Sequence, residues 1–234
     1  MAADDADVAL DGFLEVENRF ASFLRAVPPS SEHNSVHSPI LASILLDSCS
    51  LIETVLKSTM DNSRYEGIAR ITQHRSRRYT QTPPFLNIGD LRSVFKGDTL
   101  YAKPVWFLPR GKRSFPWYKW RQSTGNPTWW AGYNAVKHSR FGNARQAKLL
   151  TTMHALKGLF LVLVQSLEFR QRLVERGVIR CEGATAQKLR ADAASWEPLP
   201  TKCSEPVIAV SSLLGYKFLS AGSGSSAGSL SVFI

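Results

Sequence analysis

The sequence predicts a mainly α fold, an antiparallel helical bundle of about four core helices with a long basic, partly extended insertion and an irregular C-terminal tail. Three observations predict it. Apolar residues recur at helical spacing in four segments. Residues 61–125 lose that period and turn cationic, and beyond Gly177 the period is lost again. With 234 residues, 44% of them hydrophobic, the chain has the material for a real core.

The first helix is expected over about 7–25, where Leu10, Phe13, Leu14, Val16, Phe20, Phe23 and Leu24 recur on one face. Pro28-Pro29-Ser30-Ser31 ends it, because proline cannot continue a helix. The second opens at Ser38-Pro39, an N-cap residue followed by proline in the first turn. Its apolar face, Ile40, Leu41, Ile44, Leu45, Cys49, Ile52, Val55 and Leu56, is broad enough for a central place in the bundle. The third starts near Asn126-Pro127 and runs to about Arg140, with Phe141-Gly142-Asn143 as its stop. The fourth and longest spans about 144 to 174 or 175, striped by Leu149, Leu150, Met153, Leu156, Leu159, Phe160, Leu163, Val164 and Leu167. Its basic end, Arg170-Gln171-Arg172, suits the negative pole of a helix dipole.

The insertion, 61–125, lies between the second and third helices. Residues 72–79 are polar and cationic, Thr82-Pro83-Pro84 signals a loop, and 100–108 reads as an extended segment that Pro104 would confine to a sheet edge. The chain thus divides into a helical domain over 1–175, interrupted by 61–125, and a C-terminal extension over 176–234. Trp196-Glu197-Pro198-Leu199-Pro200 is loop-like, and the Gly/Ser/Ala tract 220–231 is expected to be mobile.

Cys49, Cys181 and Cys203 are an odd set without CxxC spacing, which suggests reduced thiols rather than disulfides. No Cys/His cluster has zinc-finger spacing, so neither a metal nor another cofactor is expected. The start, Met1-Ala2-Ala3-Asp4-Asp5-Ala6-Asp7, is acidic where a secretory signal is cationic and then apolar. The longest apolar run, 159–164, is too short to span a bilayer. The expectation is a cytoplasmic protein without a membrane partner.

Charge is distributed unevenly. Residues 1–60 carry nine acidic and three basic side chains, 61–125 carry thirteen basic and four acidic, and 126–234 carry thirteen basic and six acidic. A cationic middle suits a polyanion such as RNA or DNA. It equally suits solubility, or docking against the acidic first helix of the same chain or of a second copy.

The third helix holds the densest chemistry. On a helix, residues four apart share a face, so Trp130, Asn134 and His138 form one stripe, and Tyr133, Lys137 and Arg140 form the stripe beside it. Cations hold phosphates, an imidazole moves protons near neutral pH, and an amide orients either partner. The same residues also read as scaffold: Trp129 and Trp130 as core or interface anchors, and Asn134 with His138 as a hydrogen-bonded pair fixing helix register. In the insertion, Trp106, Trp117, Tyr118 and Trp120 interleave with Arg110, Lys112, Arg113, Lys119 and Arg121. That interleaving offers base-stacking surfaces beside phosphate-binding charge, or a satellite core capping the bundle.

The pattern Trp129-Trp130-x-x-Tyr133-Asn134-x-x-Lys137-His138-x-Arg140, opening a helix just before a long final one, resembles the HEPN superfamily of helical nucleotide-binding domains. The resemblance covers about 7–60 and 126–175. It implies an α-helical bundle that dimerises, with many members being metal-independent endoribonucleases of phage-defence or toxin–antitoxin systems. The family signature is an arginine, a polar residue, three further residues and a histidine. Asn134 and His138 match the last two, whereas Tyr133 stands where the phosphate-binding arginine belongs. By this resemblance His138, Asn134 and Tyr133 are the catalytic candidates; with RNA as the substrate, Lys137 and Arg140 on the same helix and Arg121, Arg113, Lys119 and Trp117 from the interleaved insertion are the substrate-binding ones.

Implied cleavage would be attack of a ribose 2′-hydroxyl on the adjacent phosphate, with His138 as general acid or base. Implied partners are RNA, a second copy of the chain, and an antitoxin or other protein regulator. The alternative is a catalytically inactive RNA- or nucleotide-binding or dimerisation module. A DNA-binding regulator is a weaker option, since helix-turn-helix spacing is absent.

Overall fold

The computed structural model describes residues 3–61, 88–95, 100–122, 124–140, 142–180 and 207–218. The expectations for 72–79, Thr82-Pro83-Pro84, Trp196 to Pro200, Cys181, Cys203 and the tract 220–231 fall outside these residues. Mainly α architecture is observed, with six helices among the described residues: α1 (Ala3–Ala26), α2 (Pro39–Asp61), α3 (Ile88–Phe95), α4 (Thr128–His138), α5 (Leu149–Gln165) and α6 (Leu167–Glu175). A small antiparallel sheet joins them, built from β1 (Val105–Phe107), β2 (Lys112–Ser114), β3 (Ile179–Arg180), β4 (Ile208–Val210) and β5 (Leu214–Lys217).

Helix α2 starts as its sequence suggests: the backbone N–H of Leu41 donates to Ser38 Oγ at 3.1 Å, satisfying a donor that the first turn leaves open. It packs on α1, α4 and α5. The segment Pro39–Lys57 is long and apolar enough to cross a membrane, but half of it is buried against these helices. Helix α5 is the most enclosed, buried continuously from Ala155 to Val164. An all-round apolar helix belongs at the centre of a core. The loop before α2 is tied to its start, with the Leu149 N–H donating to the Val36 carbonyl at 2.8 Å.

Three expectations are corrected. The single long final helix is two, because Ser166 takes an extended conformation (φ −76°, ψ 130°) between α5 and α6. The turn lets α6 place Phe169 and Leu173 in the core and its arginines on α1. Arg172 reaches Asp7 at 3.3 Å, and Arg176 reaches Asp7 at 3.5 Å and Asp11 at 3.2 Å. Part of the acidic surface of the first helix is therefore met by α6, not by the basic insertion. Second, the third helix is capped by Pro127 rather than Asn126, and it ends at His138.

Third, the extended segment is not at an edge. The strand order is β2-β1-β5-β4-β3, so β1 is internal, paired with both β2 and β5. Pro104 precedes the strand and removes no ladder hydrogen bond from it. Insertion and C-terminal extension thus share one sheet, so the expectation of an irregular tail is corrected where β3, β4 and β5 pair. Register pairs Val105 with Ser114 and Phe107 with Lys112, and Phe107 with Leu214, turning Val105, Phe107 and Leu214 into the core.

Glu17 fastens this sheet to α1. Its fully buried carboxylate accepts from Leu213 N–H at 3.0 Å, Ser212 N–H at 3.3 Å, Ser212 Oγ at 2.7 Å and Ser211 Oγ at 2.5 Å, all in the β4–β5 turn. A buried carboxylate is tolerated where donors replace its water. The aromatics of the insertion close the other side of the core. Trp117 packs on Trp120 (centroids 4.2 Å) and edge-on against Trp129 (5.1 Å). Its indole donates to the Gly158 carbonyl at 3.2 Å. Gly158 also lets the Trp129 ring pack close, since a Cβ there would meet that ring at 3.3 Å, a tight contact.

Candidate anion-binding cleft

Helix α4 divides lengthwise. Trp129, Trp130, Gly132, Tyr133 and Val136 are buried, Asn134 is half-buried, and Lys137 and His138 are exposed. The backbone comes close to the α5 start at Gly132, where a Cβ would lie 2.9 Å from Thr151 Cγ2. Between α2, α3 and α4 opens a cleft of about 680 Å³. Among the described residues, Lys57, Arg92 and Lys137 supply three cations to its walls, Glu53 one carboxylate, and Asn134 and Trp130 an amide and a ring.

Glu53 organises the cationic side. The Tyr133 hydroxyl donates to Glu53 Oε1 at 3.2 Å, with Lys137 Nζ 3.9 Å from the same oxygen and Lys57 Nζ 3.8 Å from Oε2. Lys137 Nζ also lies 5.1 Å from the Tyr133 ring centroid. Burial, above all, raises the Tyr133 hydroxyl above its ordinary pKa. The hydrogen bond with Tyr133, and then the Glu53 charge, raise the Lys137 ammonium. Both groups therefore stay protonated at neutral pH. Burial also pushes the Cys49 thiol well up, which makes it a core residue rather than a nucleophile.

The expected site residues separate. Asn134 and Lys137 meet in the cleft, with Tyr133 behind them committed to Glu53. His138 is exposed but is not among the cleft's lining residues. Arg140 is exposed past the helix end, and Arg113, Lys119 and Arg121 are exposed on β2 and the short turn Tyr118–Arg121. Among the described residues none of these four has an ion-pair partner.

Trp117 is a correction: it is fully buried, so no face is open to a base, and its place is in the core. Sequence reasoning missed Glu53, Lys57 and Arg92. The first two had a signal, an acid and a base four apart on the polar edge of α2, where they form an ion pair. Arg92 had none, because only the packing of α3 brings it to the cleft, where it also donates to the Gly125 carbonyl at 3.2 Å. Among the described residues no group of three metal-ligating side chains exists. Comparison with protein-family models, curated proteins and solved structures finds no match for this chain.

Proposed function

We propose that this chain is a HEPN-like RNA- or nucleotide-binding module that holds a phosphate group of its ligand in the cleft between α2, α3 and α4. One observation carries the reading: among the described residues, three cations, Lys57, Arg92 and Lys137, and one carboxylate, Glu53, line one open cleft whose wall includes Asn134. The excess positive charge suits a phosphate, Asn134 suits a sugar hydroxyl or base edge, and the exposed Arg113, Lys119 and Arg121 add further surface cations outside the cleft's lining. In this reading α1, α2, α4 and α5 are the family bundle, and two copies pool their clefts across a dimer. A protein regulator and a defence or toxin–antitoxin setting belong to the same proposal.

Metal-independent cleavage is the second reading, favoured by the solvent-open His138 one turn beyond Asn134. Titrating labelled single-stranded RNA at rising salt tests the first. Micromolar binding that falls steeply with salt and weakens at least about fivefold in Lys137→Ala and Arg92→Ala supports it. Equal affinity in wild type and both variants refutes it. RNA cut without divalent metal by wild type and not by His138→Ala would establish the second reading.

A further inference from the structure

Among the described residues five large hydrophobic side chains are exposed, and the two aromatic ones, Phe115 (41%) and Tyr118 (55%), belong to one turn. Phe115-Pro116-Trp117-Tyr118 is a β-turn closed by the Tyr118 N–H, which donates to the Phe115 carbonyl at 3.2 Å. Proline in its second place and Trp117 at φ −105°, ψ 10° fit a type I turn, which brings the two end Cα atoms within about 7 Å.

The turn is held from beneath. Trp117 is fully buried with its indole bonded to the Gly158 carbonyl, and the Trp129 indole donates to the Pro116 carbonyl at 3.1 Å. Just before the turn, Ser114 Oγ accepts from Lys157 Nζ at 2.9 Å, and Lys157 lies on α5 with 2% of its surface exposed. Two rings are therefore carried outward on a fixed backbone, so a ligand that covers them has little left to order.

Charge of one sign surrounds the rings. From Thr99 to Leu167 the chain has eleven Lys and Arg and no Asp or Glu. Four of these cations flank the turn, Lys112 and Arg113 before it and Lys119 and Arg121 after it. All four are exposed, and among the described residues none has an ion-pair partner. A lipid surface also attracts cations and aromatics, but a membrane anchor buries its apolar face about 5–10 Å deep. Phe115 is more than half covered by the protein and Tyr118 nearly half, so the rings lie along the surface rather than standing clear of it. Rings so placed suit stacking instead.

We propose that this turn is a stacking site for single-stranded nucleic acid. Phe115 and Tyr118 each take a base, and Lys112, Arg113, Lys119 and Arg121 hold the neighbouring phosphates. Recognition by ring faces and phosphate charge makes no use of the 2′-hydroxyl, so RNA and single-stranded DNA bind alike. RNA as the natural strand rests on the function proposed above; the site itself shares no residue with the cleft's lining.

Fluorescence anisotropy with the full chain tests it, using labelled oligouridylate, oligothymidylate and an abasic strand of equal length. Wild type should bind the first two within about threefold of each other, and the abasic strand at least about fivefold more weakly. Phe115→Ala and Tyr118→Ala should each weaken oligothymidylate binding at least about fivefold and leave the abasic strand unchanged, with circular dichroism unaltered. Equal wild-type affinity for the abasic and base-bearing strands overturns the site without need of a variant. So does binding lost in Lys137→Ala and Arg92→Ala but kept in both turn variants, an outcome that leaves the cleft reading standing. The converse pattern supports the site and removes the strand from the cleft. Phosphatidylserine vesicles that retain wild type but neither turn variant, with oligonucleotide binding the same in all three, overturn the site in favour of a membrane surface.

Discussion

Replacing Lys157 by methionine should stabilise the protein, against the usual direction for a buried substitution. In the folded chain the amine is lowered from its ordinary 10.5 to about 8, chiefly by burial. At about 1.4 kcal/mol per pH unit, that difference charges the fold about 3 kcal/mol at neutral pH. Methionine fills nearly the same volume without the charge, while loss of the Ser114 hydrogen bond costs about 1 kcal/mol. The net expectation is a gain of about 2 kcal/mol, or a midpoint about 4–8 °C higher for a domain of this size.

The pH dependence is a sharper check. Between about 8 and 10.5 the unfolded chain holds more protons on this lysine than the folded chain does. Wild type therefore gains stability as pH rises through that window, and below it the penalty is present in full. The advantage of Lys157→Met should shrink accordingly. Urea unfolding of both proteins from about pH 7 to 11 measures it. A variant less stable at pH 7, or an advantage that does not change with pH, would refute the view of Lys157 as a buried, uncompensated cation.

Two further outcomes follow from a half-buried histidine and a buried carboxylate. His154, lowered to about 4 by burial and by Lys157, is neutral in the folded chain at neutral pH. Its contribution is present above its ordinary 6.5 and is lost as pH falls toward about 4, up to about 3 kcal/mol; His154→Leu should remove this acid sensitivity in pH-dependent thermal melts. Glu17→Ala strips the acceptor from the β4–β5 turn and leaves buried donors unpaired, at a cost of about 3 kcal/mol by denaturant titration. Hydrogen exchange should then speed first at 211–214.

Much of the helical scaffold was legible because its signal is local. Leu10, Phe13, Val16 and Phe20 repeat at 3.6-residue spacing, and Ser38-Pro39 marks a start whose cap is made within three residues. The break at Ser166 was not legible. The apolar stripe runs on from Val164 through Leu167 and Phe169, and the turned chain buries Phe169 and Leu173 and brings Arg172 and Arg176 to Asp7 and Asp11, far earlier in the sequence. The sheet was half legible: an extended segment near Val105 could be read, but its pairing with Gly215 and Leu214 could not. The site divides in the same way. Helical spacing places Asn134 and Lys137 together on neighbouring stripes of α4, whereas Trp117 resembles a stacking residue until its burial is known.

Periodicity, capping and charge patterning act over a few residues, and so the sequence alone determined that this chain is mainly helical, where α1, α2 and α4 lie, and that α4 concentrates polar and aromatic chemistry. Contacts between distant segments depend on the shape of the whole core. Only the tertiary structure decided that Tyr133 is committed to Glu53, that Arg92 joins Lys57 and Lys137 at one cleft, that His138 stands outside it, and that Lys157 is held in the dry interior against Ser114. The Tyr133–Glu53 and Lys157–Ser114 hydrogen bonds span 80 and 43 residues of chain, separations over which side-chain spacing carries no information.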